Sequence, residues 1–212
     1  MWLFDEYGNQ YEACVEMIGQ DKTRLRILGK KGKQDPALQI HLAQALLKTK
    51  KMDLVIQKAT ELGAHGIFPI ISGRTVIRID DNENKKLERW KRIAIEAAKQ
   101  SGNSKIPVIH FPQKLSDFIT RKDEGKRLFL SEREGMRLKD ILMFPFRAEL
   151  KLPDSVTLLV GPEGGWTERE EQDIMENSYE AVSLGALTLR SETATIASLA
   201  MVSHFWKNED VS

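Results

Sequence analysis

Residues 157–167, Thr-Leu-Leu-Val-Gly-Pro-Glu-Gly-Gly-Trp-Thr, join an apolar run to three glycines and a proline. An apolar strand that empties into such a turn lets backbone approach whatever lies at the strand's C-terminal end. Thr167 and Glu170 have the spacing of a capping box, so a helix should start just after the turn. Exclusion narrows the chemistry. The chain has neither G-x-x-x-x-G-K-[ST] nor G-x-G-x-x-G, and Glu168, Glu170 and Glu171 crowd the helix start, where they would repel a phosphate. A ligand without phosphates and with a positive centre suits this turn better. S-adenosylmethionine, a sulfonium cation, meets that description. The competing reading is a tight turn with a purely structural role.

A second cluster, Leu184-Gly185-Ala186-Leu187-Thr188-Leu189-Arg190-Ser191-Glu192-Thr193-Ala194, leads from a strand-like run towards the last helix. Arg190 and Glu192 are charges set between apolar runs, so they either pair or face a site. Positive and amide groups gather upstream: Lys48, Lys50 and Lys51, then Arg74 in a basic loop over 71–78, then Gln100 in the helix end 97–103. Contacts to phosphates are a natural role for them. Glu61–Gly66 superficially matches E-x-G-x-x-G, but it closes a helix and precedes a strand, so it reads as a cap and turn. His41, His65, His110 and His204 lack metal-ligand spacing and read as structural. No nucleophile elbow is present.

The elements that must position these groups fall into two patterns. Residues 2–28 alternate with period two, notably 11–18 and 24–28, and read as two or three short strands of a small β unit. The polar stretch 29–36 reads as a linker. Beyond it, strands and helices alternate. Strands are predicted at 38–43, 66–71, 108–111, 127–130, 156–160 and 181–184. Helices are predicted around 52–62 with Gly63 as the C-terminal cap, and over 84–101, 167–177 and 193–206. That alternation predicts an α/β fold with a mainly parallel sheet. There are no repeats and no low-complexity segment.

Composition bounds the function. The 212 residues are 41% hydrophobic and 30% charged, ordinary for a globular chain. No apolar run is long enough for a membrane helix, and the first residues lack the basic and apolar regions of a signal peptide. Cys14, alone, excludes an internal disulfide and a cysteine cluster; it reads as a small apolar residue in a protein of the reducing cytoplasm. The net charge of +1 argues at first against a nucleic-acid partner. The charge is uneven, however. Residues 37–106 carry thirteen Lys/Arg against seven Asp/Glu, and residues 107–212 carry thirteen against eighteen. A basic segment that faces an anionic partner and an acidic one that faces a cation would both fit.

Taken together, 51–63, the 89–102 helix, Gly161-Pro162-Glu163-Gly164-Gly165 and 184–194 resemble one family. It is the RsmE-type 16S ribosomal RNA (uracil-N3)-methyltransferases of the SPOUT superfamily, and the resemblance covers residues 2–206. It implies a PUA-like β domain that helps bind RNA, here 1–35, and a SPOUT domain with a deep C-terminal trefoil knot, here 36–212. It implies S-adenosylmethionine as cofactor, no metal, a homodimer, and methylation of a uridine at N3 on the small ribosomal subunit. The cofactor would meet Leu159, Val160, Gly161, Pro162, Gly164, Gly165, Leu184, Gly185, Leu187, Leu189 and Thr193. Lys48, Lys51, Arg74 and Gln100 would contact RNA. N3 carries a proton on the Watson–Crick edge, so the base must be unpaired or flipped out. Arg190 would stabilise the uracil anion, and Glu163 or Glu192 would take the proton.

Three departures from the family pattern stand out. Leu187 replaces the first arginine of L-G-x-R-I-L-R, and Gly73 replaces the glutamate of S-E-R. Met1–Asp5 align with the middle of the family's N-terminal domain, so a barrel with exposed edges is expected there. Two other readings stay open: a SPOUT enzyme with another RNA target, and an inactive RNA-binding or ribosome-assembly protein.

Overall fold

The computed structural model describes residues 1–4, 9–31, 38–75, 83–103, 105–122, 124–133 and 135–207. The period-two segments form an antiparallel sheet of three strands, β1 (Trp2–Phe4), β2 (Gln10–Ile18) and β3 (Thr23–Lys31), in that order. Two bulges interrupt the β2–β3 ladder, between Glu12 and Ala13 and between Val15 and Met17. A bulge adds local twist and shifts which side chains share a face. Among the described side chains of this sheet only Ala13 is buried, while Val15, Met17, Ile18, Ile27 and Leu28 are exposed. Cys14 is exposed too, so it does not fill a core as its type suggests. β3 continues to Lys31, into the stretch 29–36 expected as a linker; residues 32–37 lie outside the described residues.

The second sheet is parallel throughout. Its elements follow as β4 (Gln39–Ala45), α1 (Thr49–Glu61), β5 (Gly66–Ile71), α2 (Glu83–Ser101), β6 (Val108–Ile109), β7 (Gln113–Lys114), α3 (Leu115–Ile119), β8 (Lys126–Leu130), β9 (Met136–Arg137), α4 (Leu138–Arg147), β10 (Ser155–Val160), α5 (Glu168–Glu176), β11 (Glu180–Ser183) and α6 (Ser191–Lys207). The strand order is β6-β5-β4-β10-β8-β11-β9, with β7 beside the end of β5. The mainly parallel α/β architecture expected from the alternation is therefore present.

Helices cover both faces, which is why successive residues of β4 and β10 are buried rather than alternate ones. On one face, side chains of α1, α2, α4 and α6 close over Ile40, Leu42, Leu158 and Val160. On the other, Phe68, Phe118, Phe129, Trp166 and Tyr179 build an aromatic layer. The end of α1 carries out the turn expected of Gly63. At φ +77° it lets its own N–H donate to the Thr60 carbonyl at 3.0 Å, while the Ala64 N–H donates to Ala59 at 2.9 Å. This is a Schellman cap, so the E-x-G-x-x-G match is indeed a helix end.

Candidate functional site

The loops that leave β8, β10 and β11 at their C-terminal ends enclose a cavity of about 460 Å³. This lies within the roughly 300–1,000 Å³ typical of small-molecule sites, and outside strand C-termini is where such a sheet binds ligands. The β10 loop contributes Val160 to Trp166, the β11 loop Val182 to Leu189, and the β8 loop Leu130 to Arg133 with Gly135. Arg74, Glu171, Ser191 and Ala194 complete the wall.

The loops after β5, β8 and β10 are tied to one another. Thr167 caps α5: its hydroxyl accepts the Glu170 N–H at 3.2 Å, and the Glu170 carboxylate accepts the Thr167 N–H at 2.9 Å. The other oxygen of Glu170 accepts the Gly73 N–H at 2.7 Å, which pulls the loop after β5 onto the turn. Arg74 then donates to the Gly164 carbonyl at 2.7 Å and to the Trp166 carbonyl at 3.3 Å. The Trp166 indole N–H donates to the Leu130 carbonyl at 3.1 Å, joining the β10 and β8 loops. A Cβ on Gly161 would come within 3.1 Å of that indole, so a larger residue would have to push the ring aside by a few tenths of an ångström.

The charges on the wall decide what the cavity can hold. Glu132, Glu163 and Glu171 line it, against Arg74 and Arg133. Both arginines are already engaged: Arg74 holds the two carbonyls, and Arg133 pairs with Glu168 at 3.2 Å and Glu171 at 3.7 Å. The start of α5 is closed by its own capping box. Neither wall arginine is free to clamp a phosphate and the start of α5 is closed, whereas a ligand with a positive centre meets three carboxylates against two engaged guanidinium groups. S-adenosylmethionine fits these residues.

Most of the residues expected on the cofactor side come together here: Val160, Gly161, Pro162, Gly164, Gly165, Leu184, Gly185, Leu187 and Leu189. Two do not. Leu159 points into the aromatic layer and is fully buried, because successive strand residues face opposite sides. Thr193 is exposed in the first turn of α6, outside the wall. The helix itself starts at Ser191, two residues earlier than expected. Arg190 lies between the wall residues Leu189 and Ser191; its side chain is exposed and has no hydrogen bond or ion pair among the described residues.

Arg190 and Glu192 do not pair. Instead Lys51 on α1 bridges Glu163 at 3.2 Å and Glu192 at 3.4 Å. Glu192 is buried, and its Oε2 has this ion pair but no hydrogen bond. Desolvation pulls the Lys51 pKa down, but the two carboxylates outweigh it and hold the ammonium above its ordinary value. Lys51 and Arg74, expected to meet RNA, thus hold the site's own carboxylates and carbonyls. Lys48 is exposed at the start of α1, and Gln100 is exposed in the last turn of α2. Residues 76–78 of the basic loop lie outside the described residues.

No motif in the sequence marks the β8 loop or Gln44, and Glu171 and Ser191, though they fall inside the two motifs, are shown to line the cavity only by the fold. The strand 127–130 followed by polar residues carried the signal for the first, since strand ends in a parallel sheet are where sites form. Among the described residues no group of three or more His, Cys, Asp or Glu is placed to hold a metal, and no helix is long and apolar enough to cross a membrane.

A family model described as an RNA methyltransferase domain matches residues 33–203. The ribosomal RNA small subunit methyltransferase E of Bacillus subtilis is 32% identical over 200 residues, 93% of this chain and 78% of that one. The enzyme of the same name from Aquifex aeolicus is 37% identical over 92% of this chain and 76% of its own length. Among solved structures, a ribosomal RNA small subunit methyltransferase E from Neisseria gonorrhoeae bound to S-adenosyl methionine superposes with a TM-score of 0.85 at 31% identity, covering 97% of this chain and 83% of that one. A putative methyltransferase from Legionella pneumophila with bound SAM gives 0.83 at 31% identity, covering 96% and 81%.

Proposed function

The chain belongs to the RNA methyltransferase family matched over residues 33–203, and on that premise we propose that it methylates N3 of a uridine in 16S ribosomal RNA. Its relatives support the coarser statement directly: it is an S-adenosylmethionine-dependent methyltransferase of small-subunit ribosomal RNA. The observation that carries the reading is the cavity at the strand ends, whose wall is rich in carboxylate and whose two arginines are already bound to the protein.

When bound, the cofactor supplies a methyl group on a positively charged sulfur, so the departing thioether is neutral. The chain's own residues do the rest. The β10 and β11 loops hold the cofactor from two sides. Arg190, uncommitted beside the wall, faces the incoming base and stabilises the negative charge that uracil acquires as N3 loses its proton. Glu163 or Glu192 accepts that proton. Lys51 keeps these two carboxylates together next to the β10 loop.

The finer architecture belongs to the same proposal. Residues 1–35 form part of a PUA-like RNA-binding domain, and 36–212 a SPOUT domain. β10 returns to the middle of the sheet, between β4 and β8, and the two loops that follow β10 and β11 pack into one site; this supports a trefoil knot. The protein works as a homodimer on the cytoplasmic small subunit, with Lys48 and Gln100 available to phosphates.

Replacing Arg190 by Ala tests the catalytic assignment. Removing one charge-stabilising donor slows such reactions about 100-fold or more. Methyl transfer to small subunits should fall by that factor, with cofactor binding and melting temperature unchanged. Native-like activity in the variant would contradict it.

A further inference from the structure

Gln44 is fully buried in β4, level with Val160 of β10, in a strand whose neighbouring positions are apolar. A buried amide is retained only where its donors and acceptor are matched. Its Nε2 donates to the Ala45 carbonyl at 3.0 Å and to the Ser191 hydroxyl at 3.1 Å, and the Gly161 carbonyl lies 3.5 Å away. Two of these neighbours are carbonyl oxygens, so only the NH2 end can face them. The Oε1 end is left to accept from Thr195, at 2.5 Å. Ser191 receives from Gln44, so its proton is free to point at the Gly161 carbonyl, 2.6 Å away. The result is a chain with one direction: Thr195 to Gln44 to Ser191 to Gly161.

We propose that Gln44 is a positioning residue for the cofactor: through Ser191 it fixes the Gly161 peptide, from the sheet side, in the orientation that shapes the cavity. The Trp166 indole packs close beside Gly161 and leaves little room there, while the hydrogen-bond chain holds the Gly161 carbonyl. The same chain ties β4 and the first turn of α6 to the β10 loop. Gln44 itself is fully buried and does not line the cavity.

The inference rests on the cavity being the S-adenosylmethionine site, and the experiment separates the two. Calorimetry with S-adenosylmethionine is run on the native protein, Gln44→Met, Ser191→Ala and the double variant, with a melting curve for each. Methionine preserves the side chain's length and volume and removes only its hydrogen bonds. The native protein should bind. Each single variant should bind about tenfold more weakly, the worth of one ordered hydrogen bond. The double variant should be no weaker than either, because both break the same chain. In methylation assays KM for the cofactor should rise with kcat nearly unchanged. Singles that bind within twofold of native, or a double that loses the product of both effects, would overturn the role of Gln44 alone. A native protein that does not bind would overturn the cofactor site as well. Ser191 itself lines the cavity, so if Gln44→Met fails to fold the deciding variant is Thr195→Val, which removes the donor to Gln44 from outside the wall: it should also bind about tenfold more weakly, and binding within twofold of native would overturn the role of Gln44.

Discussion

Lys51 shows how one residue can be mistaken for a surface contact. From sequence it is one of three closely spaced lysines in a basic segment; in the fold it joins Glu163 of the β10 loop to Glu192 of α6. Lys51 is partly exposed, but removing it leaves the buried Glu192 carboxylate without its counter-charge. Lys51→Met should therefore lower the melting temperature, and Glu192→Gln in that background should restore part of it. Thermal denaturation of the two variants checks this; a Lys51→Met protein that melts like native would contradict it. Gly165, at φ +67°, and the Thr167 cap were legible because backbone needs dictate those residue types. The partners of Lys51 and Gln44 were not, because they come from segments more than a hundred residues away.

At the scale of elements, period and caps located the long helices and the central strands. α3 and α4 escaped: α3 has five residues, and Pro145 stands inside α4, a residue that normally ends a helical pattern. Packing of these elements also creates a pH response. His110, just past β6, stacks on Phe68 with ring centroids 4.1 Å apart. Burial lowers its pKa, and the Arg121 charge lowers it further. The folded state therefore favours the neutral ring. The stability this contributes is whole above the ordinary histidine value of about 6.5 and is lost as the pH falls from there through the lower folded value. Urea titrations from pH 7.5 to 5 should show that loss, and His110→Gln should flatten it. An unchanged slope in the variant would remove His110 from the account.

For the whole molecule, the charge asymmetry takes on meaning. A total of +1 conceals a basic segment 37–106 and an acidic segment 107–212 that supplies the carboxylates of the cavity wall. The acidic half accounts for the cationic cofactor. The basic half provides Lys48 on the surface, although Lys51 and Arg74 serve the site itself. The central claim is the reaction, and nucleoside mass mapping of 16S ribosomal RNA tests it most directly, in a strain lacking this protein and in the same strain supplied with the native chain or Arg190→Ala. The account predicts that one 3-methyluridine disappears on deletion, returns with the native chain and stays absent with Arg190→Ala. A 3-methyluridine content unchanged by deletion, or a different modified nucleoside lost, would contradict it.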